Sequence, residues 1–111
     1  MGIHSLRKET FRGQIDQGIT LVEFYDLSSK PCLEQLDTLE KLAQEARYQA
    51  DVSKVDIHQE RELAAEYGVS SVPTLMLFKD GYKVETWVGQ QSKEVLQQHI
   101  TSYATMGDSC V

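Results

Sequence analysis

The chain has 111 residues, 41% of them apolar, with seventeen acidic residues against eleven Lys and Arg and a formal net charge of -6. That length supports one domain with a core of its own, and the composition excludes a disordered chain. The acidic balance argues against a nucleic-acid surface and an anionic membrane face, and no window is long and apolar enough to span a bilayer.

The first residues, MGIHSLRKETF, contain no apolar segment of the signal-peptide kind. Met1-Gly2 matches a myristoylation start only at background level, and Cys110 stands too near the end for a prenylation box. Two cysteines without an export signal point to free thiols in a reducing compartment, the cytoplasm.

A short strand is expected near Gly2 to His4. Leu6 to Gln17 reads as a helix with Leu6, Phe11 and Ile15 on its apolar face and Gly18 as terminator. ITLVEFY, Ile19 to Tyr25, reads as a central strand covered on both sides. Asp26 to Lys30 is a turn, and Pro31 suits the first turn of a helix reaching about Gln49, because its missing N–H costs nothing there. Leu33, Leu36, Leu39, Ala43 and Ala46 recur every three or four residues, which predicts one apolar stripe. Val52 to Ile57 is a strand, His58 to Tyr67 a helix ended by Gly68, and Thr74 to Phe78 another apolar strand. Lys79-Asp80-Gly81 is a tight turn into the alternating strand Tyr82 to Val88. A last helix starts near Ser92, its N-cap, and carries Val95, Leu96, His99 and Ile100.

Strands alternating with helices, then a hairpin and a helix, predict an α/β domain with a mixed sheet and helices on both faces. The domain is expected over residues 1–104, followed by a flexible polar tail, 105–111. No Cys/His spacing suggests zinc, no loop suggests calcium, and no glycine-rich loop suggests phosphate, so no cofactor is expected.

Three blocks of the chain agree with one family. LVEFYDLSSKPC resembles the strand, turn and helix start of the thioredoxins, where a CxxC motif opens the long helix. SVPTLMLFKDG resembles their proline loop, strand and turn, and WVGQQSKEVLQQHI their last strand and helix. KVDI and EYGV lie between at fitting distances, so the likeness runs from about Gly2 to Ile100. It implies the thioredoxin fold, with a central mixed sheet of four to five strands.

The same likeness assigns roles. Ser29 stands where these proteins carry the exposed nucleophilic thiol, and Cys32 where they carry the resolving thiol. Glu23 matches an acidic residue beneath that thiol which accepts its proton, and Lys54 matches a basic companion. Pro73 is expected as a cis proline facing Cys32, with Val72 presenting its backbone to a partner chain. Ser28, Lys30, Pro31 and Gly89 border the substrate, and Gly89 is expected to let the last strand pass close to the site. Tyr25 stands where the family often has tryptophan. The implied partners are protein or peptide thiols and disulfides, with a flavin-dependent reductase as electron donor, and a monomer is expected.

Each assignment has a plainer counterpart. Ser28 or Ser29 can be a helix N-cap, and no base that would activate a serine nucleophile is visible. Cys32 can be a buried, inert helix cysteine. Pro73 can be a trans proline at a strand edge, and Glu23 a carboxylate reaching solvent beside Lys54. Cys110 has no assigned role. Ser29 itself has two readings, a natural monothiol site or an engineered cysteine-to-serine change. The opposing functional class is a non-enzymatic module that binds extended peptides in the groove beside Pro73; a third is a bare scaffold with Cys32 idle.

Overall fold

Every residue of the strand Ile19–Tyr25 is buried, as expected of a run flanked by strands and covered on both faces. The computed structural model describes residues 3–108. In chain order the elements are β1 (Ile3–Ser5), α1 (Lys8–Ile15), β2 (Ile19–Tyr25), α2 (Lys30–Glu45), β3 (Asp51–Asp56), α3 (Arg61–Glu66), β4 (Thr74–Lys79), β5 (Tyr82–Val88) and α4 (Lys93–Asp108). They form a five-stranded sheet in the order β1-β3-β2-β4-β5. β3 runs parallel to β1 and β2, while β4 is antiparallel to β2 and β5. This is the thioredoxin fold expected from the sequence.

Side-chain alternation along β2 builds a core on each face of the sheet. Ile19 and Leu21 join Leu39 and Leu42 of α2 and Leu96 and Ile100 of α4. Val22 and Phe24 join Phe11, Ile15, Leu63 and Ala64 of α1 and α3. Phe11 stands edge-on to Phe78 at 5.7 Å and tilted against Tyr67 at 5.1 Å, so aromatic packing ties the second layer to β4 and α3.

Several boundaries differ from the sequence reading. The stripe of α2 consists of Cys32, Gln35, Leu39, Leu42 and Ala43, continued by Ala46, whereas Leu33 is 43% exposed and Leu36 only half-buried. The helix phase is set by Leu39 and its neighbours on β2, and it turns Leu33 outward. α3 starts three residues later than expected, because the Asp56 carboxylate accepts N–H bonds from His58 and Gln59 and holds them in a turn. α4 continues to Asp108, past the boundary drawn after residue 104. The expected strand start at Gly2, the end of the expected tail and Cys110 lie outside the described residues.

The register brings three connecting segments to one end of the sheet. Phe24 pairs with Thr74, and Thr74 with Val88. The exit of β2, the entry to β4 and the exit of β5 are therefore neighbours. There the chain places Asp26 to Ser29, Val72-Pro73 and Gly89 to Ser92.

Candidate active site at the start of helix α2

Ser29 is the N-cap of α2. Its backbone is extended, with φ -96° and ψ 118°, and its hydroxyl oxygen accepts the Cys32 N–H at 3.4 Å. The Ser29 carbonyl takes the Leu33 N–H at 3.1 Å, so the helix starts one residue earlier than Pro31. Pro31 sits in the first turn, where it removes a donor that has no helical acceptor. Ser28, Lys30 and Pro31 are all exposed. Of the two serines offered as caps, Ser29 is the cap; Ser28 donates its N–H and its hydroxyl to the Asp26 carboxylate, at 2.9 and 2.8 Å.

Cys32 is fully buried, and its thiol sulfur accepts the Asp26 N–H at 3.5 Å. The backbone that leaves β2 therefore folds over the sulfur. Asp26 anchors this turn at three points: the bond to sulfur, the bonds to Ser28, and a contact between its Oδ2 and His58 Nε2 at 3.1 Å. The two Ser28 bonds, then His58, hold the Asp26 carboxyl well below the usual range, at about 2.

Glu23 is fully buried on β2, on the side that faces α2, and among the described residues neither carboxylate oxygen has a hydrogen-bond partner. Burial pushes its carboxyl up to about 8, with the Lys54 ammonium pulling weakly the other way. Lys54 is the Cα partner of Glu23 across β2 and β3, and its Nζ lies 5.7 Å from the centre of the Tyr25 ring. The two make no salt bridge, so Lys54 acts on Glu23 at a distance. The plain reading of Glu23 as a solvent-reaching carboxylate fails on its burial.

The Val72-Pro73 peptide bond is cis, as the family resemblance implied. Pro73 is buried and Val72 half-buried. Among the described residues neither the N–H nor the C=O of Val72 takes part in a hydrogen bond. The Pro73 carbonyl accepts the Gly89 N–H at 2.8 Å, which closes the site on the β5 side. Gly89 has φ +100°, yet a Cβ there would meet nothing within 4 Å. The glycine is needed for backbone conformation, not because the strand passes too close to the site.

The N-capping serine, the buried cysteine three residues on, the unpartnered buried acid and the cis proline all lie at the end of the sheet where the register gathers the loops. The thioredoxin family model matches residues 2–102. The chain belongs to the thioredoxin family. It is 35% identical to thioredoxin of Bacillus subtilis (strain 168) over 103 residues, 93% of this chain and 99% of that one. It is 36% identical to thioredoxin of Staphylococcus aureus over 104 residues, 90% of this chain and 100% of that one. Among solved structures, a mutant thioredoxin from Halobacterium salinarum NRC-1 superposes with a TM-score of 0.86 at 33% identity, covering 93% and 91% of the two chains. Membership gives the chain the ancestry of a thiol-disulfide oxidoreductase. Among the described residues no helix is long and apolar enough to cross a membrane.

Three side chains at this end of the thioredoxin fold were not singled out from the sequence. Asp26 forms, with the already named Ser28, an Asp-x-Ser turn signature that is legible in the sequence. His58 was not, because its contact with Asp26 spans 32 positions. Gln35 is fully buried, its amide donating to the Gln91 carbonyl at 3.0 Å and accepting the Gln91 N–H at 2.7 Å. Its signal was a polar residue on an apolar stripe, three after Cys32 and four before Leu39.

Proposed function

We propose that this chain carries a protein-disulfide exchange site of the thioredoxin kind in which Ser29 occupies the place of the attacking thiol. The observation that carries the reading is the relation between positions 29 and 32. The residue 29 side chain caps the helix and turns toward the N–H of a buried cysteine. A sulfur at position 29 would sit against the helix N-terminus, where the dipole favours a thiolate. It would attack a protein disulfide, forming a mixed disulfide and expelling one substrate thiolate. Cys32 would then attack the mixed disulfide, close an internal disulfide and release the second substrate thiol. Glu23 would take the Cys32 proton, and a flavin-dependent reductase would return the two electrons.

With serine the cycle does not start. Among the described residues the Ser29 hydroxyl accepts from a backbone N–H and is hydrogen-bonded to no base that would activate it. Cys32 keeps the capacity for a mixed disulfide once its cover opens, but it cannot resolve that adduct alone. Whether Ser29 is a natural monothiol feature or an introduced change, the chain as written is a stalled exchange site. The setting is the cytoplasm, the partners are protein or peptide thiols and disulfides, and the working unit is the monomer.

A second reading has its own support. The free Val72 backbone and the exposed Leu27, at 61%, and Val88, at 67%, suit an extended peptide laid along the groove without sulfur chemistry. Reduction of insulin and of a small disulfide, with a reductase supplying electrons, separates the two. The chain as written should be inactive and Ser29→Cys active. Inactivity of both, with the variant folded, rejects the exchange reading and favours peptide binding.

A further inference from the structure

We infer that Gln35 is a positioning residue that sets the Gly89 to Ser92 segment bonded to Pro73, and through it the preference for protein over small disulfides. The second half of this inference rests on the exchange reading above; the first does not.

Gln91 lies between the last residue of β5 and the N-cap of α4. Its N–H and C=O belong to neither the ladder nor the helix. The Gln35 amide supplies the missing partners, accepting at 2.7 Å and donating at 3.0 Å. A buried primary amide is costly unless both halves are bonded, and here one backbone residue satisfies both. A planar amide bonded at two points fixes orientation as well as distance. From Gln91 the constraint runs in both directions. Ser92 caps α4 with its hydroxyl on the Val95 N–H at 3.2 Å. Gly89 donates to the Pro73 carbonyl at 2.8 Å. A residue on the buried face of the helix that carries Cys32 thereby holds the segment that closes on Pro73. Gln90 reaches Glu34 on the same helix at 3.4 Å, a weaker contact at the rim. An apolar residue would fill the space under the loop but would leave two backbone groups of Gln91 unmet.

The test uses Gln35→Met, close in volume, and Gln35→Glu. Amide hydrogen exchange is followed by NMR in the full chain. Gln35→Met should speed exchange at Gly89 and Gln91 at least tenfold relative to amides of β2. Gln35→Glu should keep both protection factors at low pH, where a neutral carboxyl can donate and accept as the amide does, and lose them as pH rises and the carboxylate repels the Gln91 carbonyl. A merely volumetric role gives no such pH-dependent rescue. Protection at Gly89 that neither variant alters overturns the inference. In a Ser29→Cys background, Gln35→Met should lower the ratio of insulin to small-disulfide kcat/KM by about tenfold, mostly through KM for insulin. An unchanged ratio overturns the preference. If Ser29→Cys reduces neither substrate, the exchange reading fails, and Gln35 is judged on the Gly89 and Gln91 amides alone.

Discussion

Glu23→Gln should gain stability relative to the parent chain as pH rises, by an amount set by the Glu23 titration. The carboxyl is fully buried, both oxygens lack partners, and its folded value is about 8 against an ordinary 4.5. Below pH 4.5 the folded and unfolded chains both hold this proton, and its contribution is intact. Between pH 4.5 and 8 the unfolded chain gives the proton up while the folded chain keeps it. Each pH unit then favours unfolding by about a factor of ten, roughly 5 kcal/mol over the whole interval. Above pH 8 the loss is complete and levels off. The glutamine variant keeps the shape and lacks the titration. Guanidinium unfolding of both proteins, followed by circular dichroism from pH 4.5 to 9, should show the variant's advantage rising by about 5 kcal/mol and then flattening. Lys54→Met should move the flattening to higher pH, because the Lys54 ammonium opposes the upward shift. A difference that stays constant with pH would mean that Glu23 ionises normally, and the account of a desolvated, unpartnered acid would be wrong.

Two further predictions concern the turn over Cys32. Ser29→Ala removes the side-chain acceptor of the Cys32 N–H and should cost about 1 kcal/mol in denaturant unfolding, with no effect expected if water replaces the cap fully. His58→Ala removes one of the contacts that hold the Asp26 carboxyl down, so its carbon-13 NMR titration should move up from about 2 toward the usual 3.8. Since that carboxyl is depressed in the folded chain, its contribution to stability is present above about 3.8 and is lost as pH falls toward 2; the variant should lose it at higher pH. An unmoved titration would leave Ser28 as the whole cause.

The sequence disclosed the fold where local signals agreed with burial. ITLVEFY gave the bounds of β2 without error, and Lys79-Asp80-Gly81 gave the hairpin, because both signals are local. The phase at the start of α2 was misread. Leu33 and Leu36 carry more hydrophobic weight than Cys32 and Gln35, yet Leu39, Ala43 and Ala46 fit either set, and packing on β2 chose the second. The site was legible as far as its residues sit in recognisable blocks: Ser29 starts α2, Cys32 and Glu23 are buried, and the Val72-Pro73 bond is cis. What was not legible depends on pairs distant in sequence. Gln35 with Gln91 and Asp26 with His58 meet only because the sheet register brings loop ends together.

The claim at the centre is that position 29 faces Cys32 as one half of a sulfur pair. Ser29→Cys, prepared with Cys110→Ser so that Cys32 is the only other thiol, tests it by thiol counting after mild oxidation with diamide. Loss of both thiols in a protein that stays monomeric is the predicted result. Two thiols still free, or disulfide-linked dimers alone, would contradict it.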